Sequence, residues 1–274
     1  VSPTRPSAIL MGSKPGSVVA LEALLRRGWE VPMVVVSRNV SHPWMPTPDL
    51  ETHAHSRGIP VRSQKELLDA PPVDFVISYM YRNRVTASTR ALARRAALNF
   101  HAGPLPEFGG WAFYNVAILE ERREYGCTCH YMEDAFDAGD LLKVRRFPID
   151  PALETAESLE RRSQEEMIQL FLEFCALAES GGELPREAQD PARMRYLDQA
   201  GFEALKRIPE GADGAVIDRH ARAFWAPPYG LAYLEGDGGR VEVVPACVKE
   251  ALARESHRAD LDRLFEAAGL ERER

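Results

Sequence analysis

Ser7-Ala8-Ile9-Leu10-Met11-Gly12-Ser13-Lys14-Pro15-Gly16-Ser17 opens the part of the sequence that decides the fold class. Ala8 to Met11 is a short apolar run, and it reads as a buried strand with Ser7. Gly12, Pro15 and Gly16 punctuate its end. Ser17 is placed to cap a helix running to Arg27, with Val18, Leu21, Leu24 and Leu25 on its inner face and Gly28 just beyond. Val31 to Val36 is a second strand. A β-α-β unit predicts a right-handed crossover and a parallel sheet, hence an α/β fold. The intervening turn is neither Gly-x-Gly-x-x-Gly nor a Walker loop, so neither a dinucleotide cradle nor an ATP cradle is expected.

Outward from this unit, a loop rich in Pro spans 38–48 and a helix is expected from Asp49 to Arg57. Val73 to Tyr79 is a strong strand that ends in Ser78-Tyr79-Met80-Tyr81-Arg82, an aromatic carboxyl end suited to walling a flat ligand. Ala97-Leu98-Asn99-Phe100-His101 is the next strand tip, and Ala102-Gly103-Pro104-Leu105-Pro106 follows as a stiffened loop. Side chains repeat every two residues along a strand, so Asn99 and His101 share one side. In open α/β sheets ligands bind at the carboxyl ends of strands. An amide there can face a developing oxyanion, and an imidazole can pass a proton near neutral pH. A helix from Ala112 to Glu121 and a strand from Cys127 to Met132 come next. The acidic turn Glu133-Asp134-Ala135-Phe136-Asp137-Ala138-Gly139-Asp140 then leads to a strand over Leu141 to Phe147. A carboxylate from this turn, folded back on His101, would orient the ring and favour its charged form. His130, His220 and His257 read as packing or surface residues.

The chain has 274 residues, 45% hydrophobic and 27% charged, with a formal net charge of −7. That charge speaks against nucleic acid as a partner. No apolar run approaches the ~18 residues of a membrane span, and the first twelve residues lack a signal-peptide pattern, so a cytoplasmic protein is expected. Cys127, Cys129, Cys175 and Cys247 form neither a zinc pattern nor a disulfide framework; free thiols and no metal are expected.

Asn99-Phe100-His101, the Gly103-Pro104-Leu105-Pro106 loop and Phe136-Asp137-Ala138-Gly139-Asp140 together resemble the folate-dependent formyltransferase family. Its signature places an Asp about 36 residues after the His, and Asp137 follows His101 by 36. Asp140 is the other carboxylate of the turn. The resemblance covers residues 7 to 180. It implies a Rossmann-like, mostly parallel sheet with helices on both faces. It also implies N10-formyltetrahydrofolate as formyl donor, with Asn99, His101 and Asp137 catalytic. The pterin would lie among Tyr79, Met80, Tyr81, Arg82, Met132 and Phe136. The chain has Gly109 where many members carry a basic residue.

In the last third, Thr155 is placed to cap a long helix that ends at Gly181-Gly182, and residues 183–274 are expected to form a small α+β appendage. It includes helices near 202–205, 213–224 and 260–268 and a hairpin around Asp237-Gly238-Gly239. Arg222-Ala223-Phe224-Trp225-Ala226-Pro227-Pro228-Tyr229 resembles formyltransferases that act on nucleotide-linked amino sugars. So do Arg195-Tyr196-Leu197 and Leu205-Lys206-Arg207-Ile208. The implied acceptor is such a sugar, contacting Gly103, Pro104, Trp111, Tyr114 and Trp225, with a homodimer compatible. Other expected readings are a formyltransferase on another small amine or on methionyl-tRNA, and a formyltetrahydrofolate hydrolase. The tail is short and not strongly basic, which counts against tRNA. The absence of a regulatory domain ahead of the first strand counts against the hydrolase.

Overall fold

The computed structural model describes residues 5–37, 49–111, 113–226 and 230–251. The first unit is β1 (Ala8–Gly12), α1 (Pro15–Arg26) and β2 (Val34–Val36). α2 (Leu50–Ser56), β3 (Val61–Arg62), β4 (Val73–Tyr79), α3 (Ala87–Arg90) and β5 (Ala93–His101) follow. β6 (Gly109–Gly110), α4 (Phe113–Leu119), β7 (Glu124–Tyr131), β8 (Leu141–Pro148) and α5 (Ala156–Glu179) complete the main body. Then come β9 (Tyr196–Leu197), α6 (Gln199–Leu205), α7 (Gly214–Ala223), β10 (Tyr233–Gly236) and β11 (Gly239–Glu242).

Seven strands form one sheet in the order β3-β2-β1-β4-β5-β7-β8. β3, β2, β1, β4 and β5 run parallel, β7 pairs antiparallel with β5, and β8 pairs antiparallel with β7. The register places Ser78 beside Asn99, and Asn99 opposite His130. Strand alternation divides the core in two. Ala8, Leu10, Phe75, Ile77, Leu98 and Phe100 face the larger cluster, with Leu21 and Leu24 of α1 and Phe171 and Phe174 of α5. Ile9, Met11, Val35 and Val76 face a smaller one, with Leu67 of a 3₁₀ turn over Gln64–Leu67 and with Val85.

Helix α1 starts three residues earlier than expected. Pro15 occupies its first turn, a position proline favours because its missing N–H would have no helical partner there. Ser17 is therefore inside the helix, and its hydroxyl donates to the Lys14 carbonyl at 2.6 Å. Asp49, expected inside the helix, is instead the cap of α2 and accepts from Thr52 N, while Thr155 caps α5 as expected, accepting from Ser158 N. The loop at 38–48, Pro227-Pro228-Tyr229 and the helix expected over 260–268 lie outside the described residues.

The segment after 182 packs back on the sheet. Ile208, Ala223, Phe224 and Ala232 belong to the larger core cluster, and β9 pairs with β6. The hairpin β10–β11 forms where expected. Cys127, Cys129 and Cys175 are buried free thiols and Cys247 is an exposed one. Burial pushes the Cys127 and Cys175 thiols up to about 12, so both are neutral packing groups. Among the described residues no helix is long and apolar enough to cross a membrane, and no cluster of side chains suits a metal.

Candidate active site

A cavity of about 500 Å³ opens at the carboxyl ends of β4 and β5. Its floor is built by two strands and one turn. β5 delivers Asn99 and His101 two residues apart, β7 brings His130 opposite Asn99, and the turn after β7 returns Asp137. His101, His130 and Asp137 are all largely buried, at 8%, 3% and 13% side-chain exposure.

His130 Nδ1 lies 2.9 Å from the Tyr131 carbonyl. A carbonyl only accepts, so Nδ1 carries a proton and Nε2 of the neutral ring is left as an acceptor. Asn99 Nδ2 donates to it at 3.0 Å. His101 is held the other way round. Its Nε2–H donates to the Phe108 carbonyl at 2.7 Å, and its Nδ1 faces Asp137 Oδ1 at 3.7 Å. The ring nitrogen open to the cavity is therefore the one beside the carboxylate. Gly103 makes room for the Phe108 bond: a Cβ there would meet the Phe108 oxygen at 2.7 Å and His101 Nε2 at 2.8 Å.

Asp137 is gripped from several sides. The Gly110 N–H donates to its Oδ2 at 2.9 Å, and His130 Nε2 lies 3.6 Å from its Oδ1. Burial would raise this carboxyl, but the neighbouring His101 and the Gly110 N–H hold it well below the usual carboxylate range. It is ionised at neutral pH. A buried, ionised carboxylate beside an imidazole is suited to stabilising that ring as it gains a proton.

Of the contacts expected from sequence, Met80, Tyr81, Arg82, Met132, Phe136, Trp111 and Tyr114 line the cavity. Four do not. Tyr79 is buried in the core, stacked on Phe100 with centroids 5.8 Å apart and edge-on to Phe171, because it shares the strand face of Phe75 and Ile77. Gly103 and Pro104 lie beneath the floor. Trp225 is half-buried beside α5, its carbonyl accepting from Glu157 N at 2.9 Å. Asp140, the other carboxylate of the acidic turn, is off the cavity and pairs with Arg186.

A family model described as formyl transferase matches residues 32–174, which contain Asn99, His101, His130 and Asp137. The chain belongs to the formyl transferase family. A methionyl-tRNA formyltransferase of Listeria welshimeri is 30% identical over 239 residues, 82% of this chain and 74% of the relative. Two solved structures share the fold. One is an N-formyltransferase from Helicobacter canadensis in complex with folinic acid and dTDP-3-aminofucose (TM-score 0.70, 19% identity, 87% of this chain and 86% of that one). The other is a 4-N formyltransferase from Francisella tularensis (TM-score 0.70, 15% identity, 87% and 96%).

Three features of this family member's site were not anticipated. His130 was read as a packing residue but touches both Asn99 and Asp137. Arg84 and Arg90 hold the 133–136 loop through the backbone carbonyls of Asp134 and Glu133, and Arg84 lies 5.5 Å from the Phe136 ring centre. Lys14 and Glu160 form a buried ion pair of 2.6 Å in the cavity wall.

Proposed function

We propose that the chain transfers the formyl group of N10-formyltetrahydrofolate to the primary amine of a nucleotide-linked amino sugar. The observation that carries the transfer step is the cluster of half-buried Asn99 with the largely buried His101 and Asp137 on the cavity floor. The donor supplies an activated formyl carbon. Asn99 uses one amide N–H on His130 and presents the other to the formyl oxygen as negative charge develops there. His101 Nδ1 takes the proton that the attacking amine loses and returns it to the leaving nitrogen of the donor. Asp137 stabilises the ring while it is charged. The 3.7 Å between Nδ1 and the carboxylate is wider than a hydrogen bond, so an amine or a water can engage either group. The flat side chains of Tyr81 and Phe136 with Met80 and Met132 supply a wall for a pterin.

For the acceptor, Trp111 and Tyr196 line the same cavity, each about half exposed, with Phe202 behind Trp111 at 6.4 Å between ring centres. Exposed aromatic faces at a cavity mouth suit a nucleotide base. Relatives that act on methionyl-tRNA favour a second acceptor. The net charge of −7 supports the smaller one, because binding a phosphodiester backbone draws its strength from clustered Lys and Arg.

Mass spectrometry of a reaction with N10-formyltetrahydrofolate and a panel of nucleotide-linked amino sugars, with methionyl-tRNA beside them, tests both halves. One formyl group gained by a sugar, and lost with His101→Ala, is the expected result. Formylation of the tRNA alone overturns the acceptor. Free formate with no acceptor present assigns the hydrolase instead.

A further inference from the structure

Gln189 lies outside the matched family region and 52 residues beyond Asp137, yet its side chain reaches the backbone of the catalytic turn. Its Nε2 lies 2.7 Å from the Asp137 carbonyl and 2.7 Å from the Gly139 carbonyl. Both partners only accept, so the orientation of the amide is fixed: turned over, Oε1 would press against two carbonyl oxygens. Gln189 Oε1 is itself buried with no hydrogen-bond partner among the described residues. A buried acceptor left unpaired is unfavourable. The amide is thus committed to the two carbonyls at the expense of its own oxygen.

The backbone being held needs holding. Asp137 has φ +54°, the left-handed region that residues with a Cβ rarely adopt. That conformation turns the carboxylate back toward His101. Gln189 is anchored on both sides. Glu187 pairs with Leu141 through two backbone bonds of 2.7 and 2.9 Å. Asp190 caps the following 3₁₀ turn, accepting from Ala192 N at 3.0 Å. Further along the same segment, the Arg195 and Leu197 carbonyls accept from Gly109 N and Trp111 N at 3.0 and 2.6 Å. These bonds flank Gly110, whose N–H grips the Asp137 carboxylate. A single strap over 187–197 therefore fixes Asp137 at both its backbone and its side chain.

We propose that Gln189 is a positioning residue for catalysis, holding the left-handed turn that aims Asp137 at His101. The proposal rests on the formyl-transfer reading. Misplacing a reacting group by about 1 Å can slow a reaction on the order of a hundredfold.

The test compares wild type with Gln189→Met, which keeps the length but has no donor, and Gln189→Asn, which keeps the amide but not the reach. Phe174→Leu, in the core beside Trp29 and Phe75, serves as a control for lost stability. The expected result is kcat reduced tenfold or more in both Gln189 variants, with KM for donor and acceptor within about twofold of wild type. The control retains kcat at a comparable loss of Tm. The imidazole ¹⁵N resonances of His101 and His130 are also expected to shift in the Gln189 variants and not in the control. Wild-type kcat in both Gln189 variants, or an equal loss in the control, overturns the proposal. If wild type itself transfers no formyl group, the functional reading fails. The imidazole spectra then decide alone, and resonances unchanged in both Gln189 variants overturn the positioning role.

Discussion

Asn99 and His130 stand opposite each other across the β5–β7 ladder, and the Asn99 amide donates to His130 Nε2 at 3.0 Å. This bond fixes which end of the Asn99 amide is nitrogen, because His130 Nδ1 is already committed to the Tyr131 carbonyl. In the proposed reaction, the amide end that faces the formyl oxygen is therefore set by a histidine that itself need not touch substrate.

Replacing His130 by Phe removes the acceptor and frees the amide to turn over. We expect kcat to fall by about tenfold to a hundredfold, less than the ~10²–10³ of losing an oxyanion donor outright by Asn99→Ala. Steady-state kinetics of both single variants and the double variant check this. A double variant no slower than Asn99→Ala places the two residues on one function.

On the proposed mechanism Asp137→Asn removes the charge that stabilises His101 while it carries the transferred proton, and a loss of about a hundredfold or more in kcat is expected. The same group contributes to stability with a definite pH dependence. Its carboxyl sits below the unfolded reference of 3.8, so the stabilisation is complete above that value and disappears as pH falls below it toward the folded value. Urea midpoints of wild type and Asp137→Asn should differ by a constant amount from pH 7 to about pH 5. They should converge below about pH 4.

The elements that the sequence made legible are those whose signals are local. The β1-α1-β2 unit, the tip of β5 and the cap at Thr155 follow from apolar runs, period-two alternation and a side-chain oxygen at a helix start. His130 escaped because its importance depends on cross-strand register, which no stretch of one strand contains. Gln189 escaped because it acts across 52 residues through a loop. Tyr79 was misplaced although the period-two rule already put it with Phe75 and Ile77. An aromatic strand end points to a ligand wall, but parity keeps Tyr79 on the core face, and the chain turns toward the cavity only at Met80, where φ is +50°.

The Lys14–Glu160 pair, with side chains 7% and 5% exposed, is the buried ion pair of the cavity wall. Lys14→Met leaves Glu160 without its partner, and a loss of about 3–5 kcal/mol is expected. Adding Glu160→Gln removes the stranded charge, so the double variant should be more stable than Lys14→Met alone. Urea unfolding at constant m-value measures both.

Gly103→Ala tests whether the His101 ring must be held by the Phe108 carbonyl. The new Cβ would lie 2.7 Å from that oxygen and 2.8 Å from His101 Nε2, closer than carbon packs against either. The backbone at Gly103 and at Phe108 is held in place: the Gly103 carbonyl accepts from Thr128 Oγ1 at 2.8 Å, and Phe108 N donates to the Pro104 carbonyl at 3.2 Å. The clash can be relieved most readily by turning the imidazole, which is the only side chain of the three. A cost of about 1–3 kcal/mol in stability is expected, as for other overpacked sites. The loss in kcat should be tenfold or more, because the turned ring withdraws Nδ1 from Asp137. Donor affinity measured by calorimetry should stay close to wild type, since Gly103 lies beneath the floor and not on the cavity wall. A variant that keeps its kcat would mean that His101 works without the Phe108 bond.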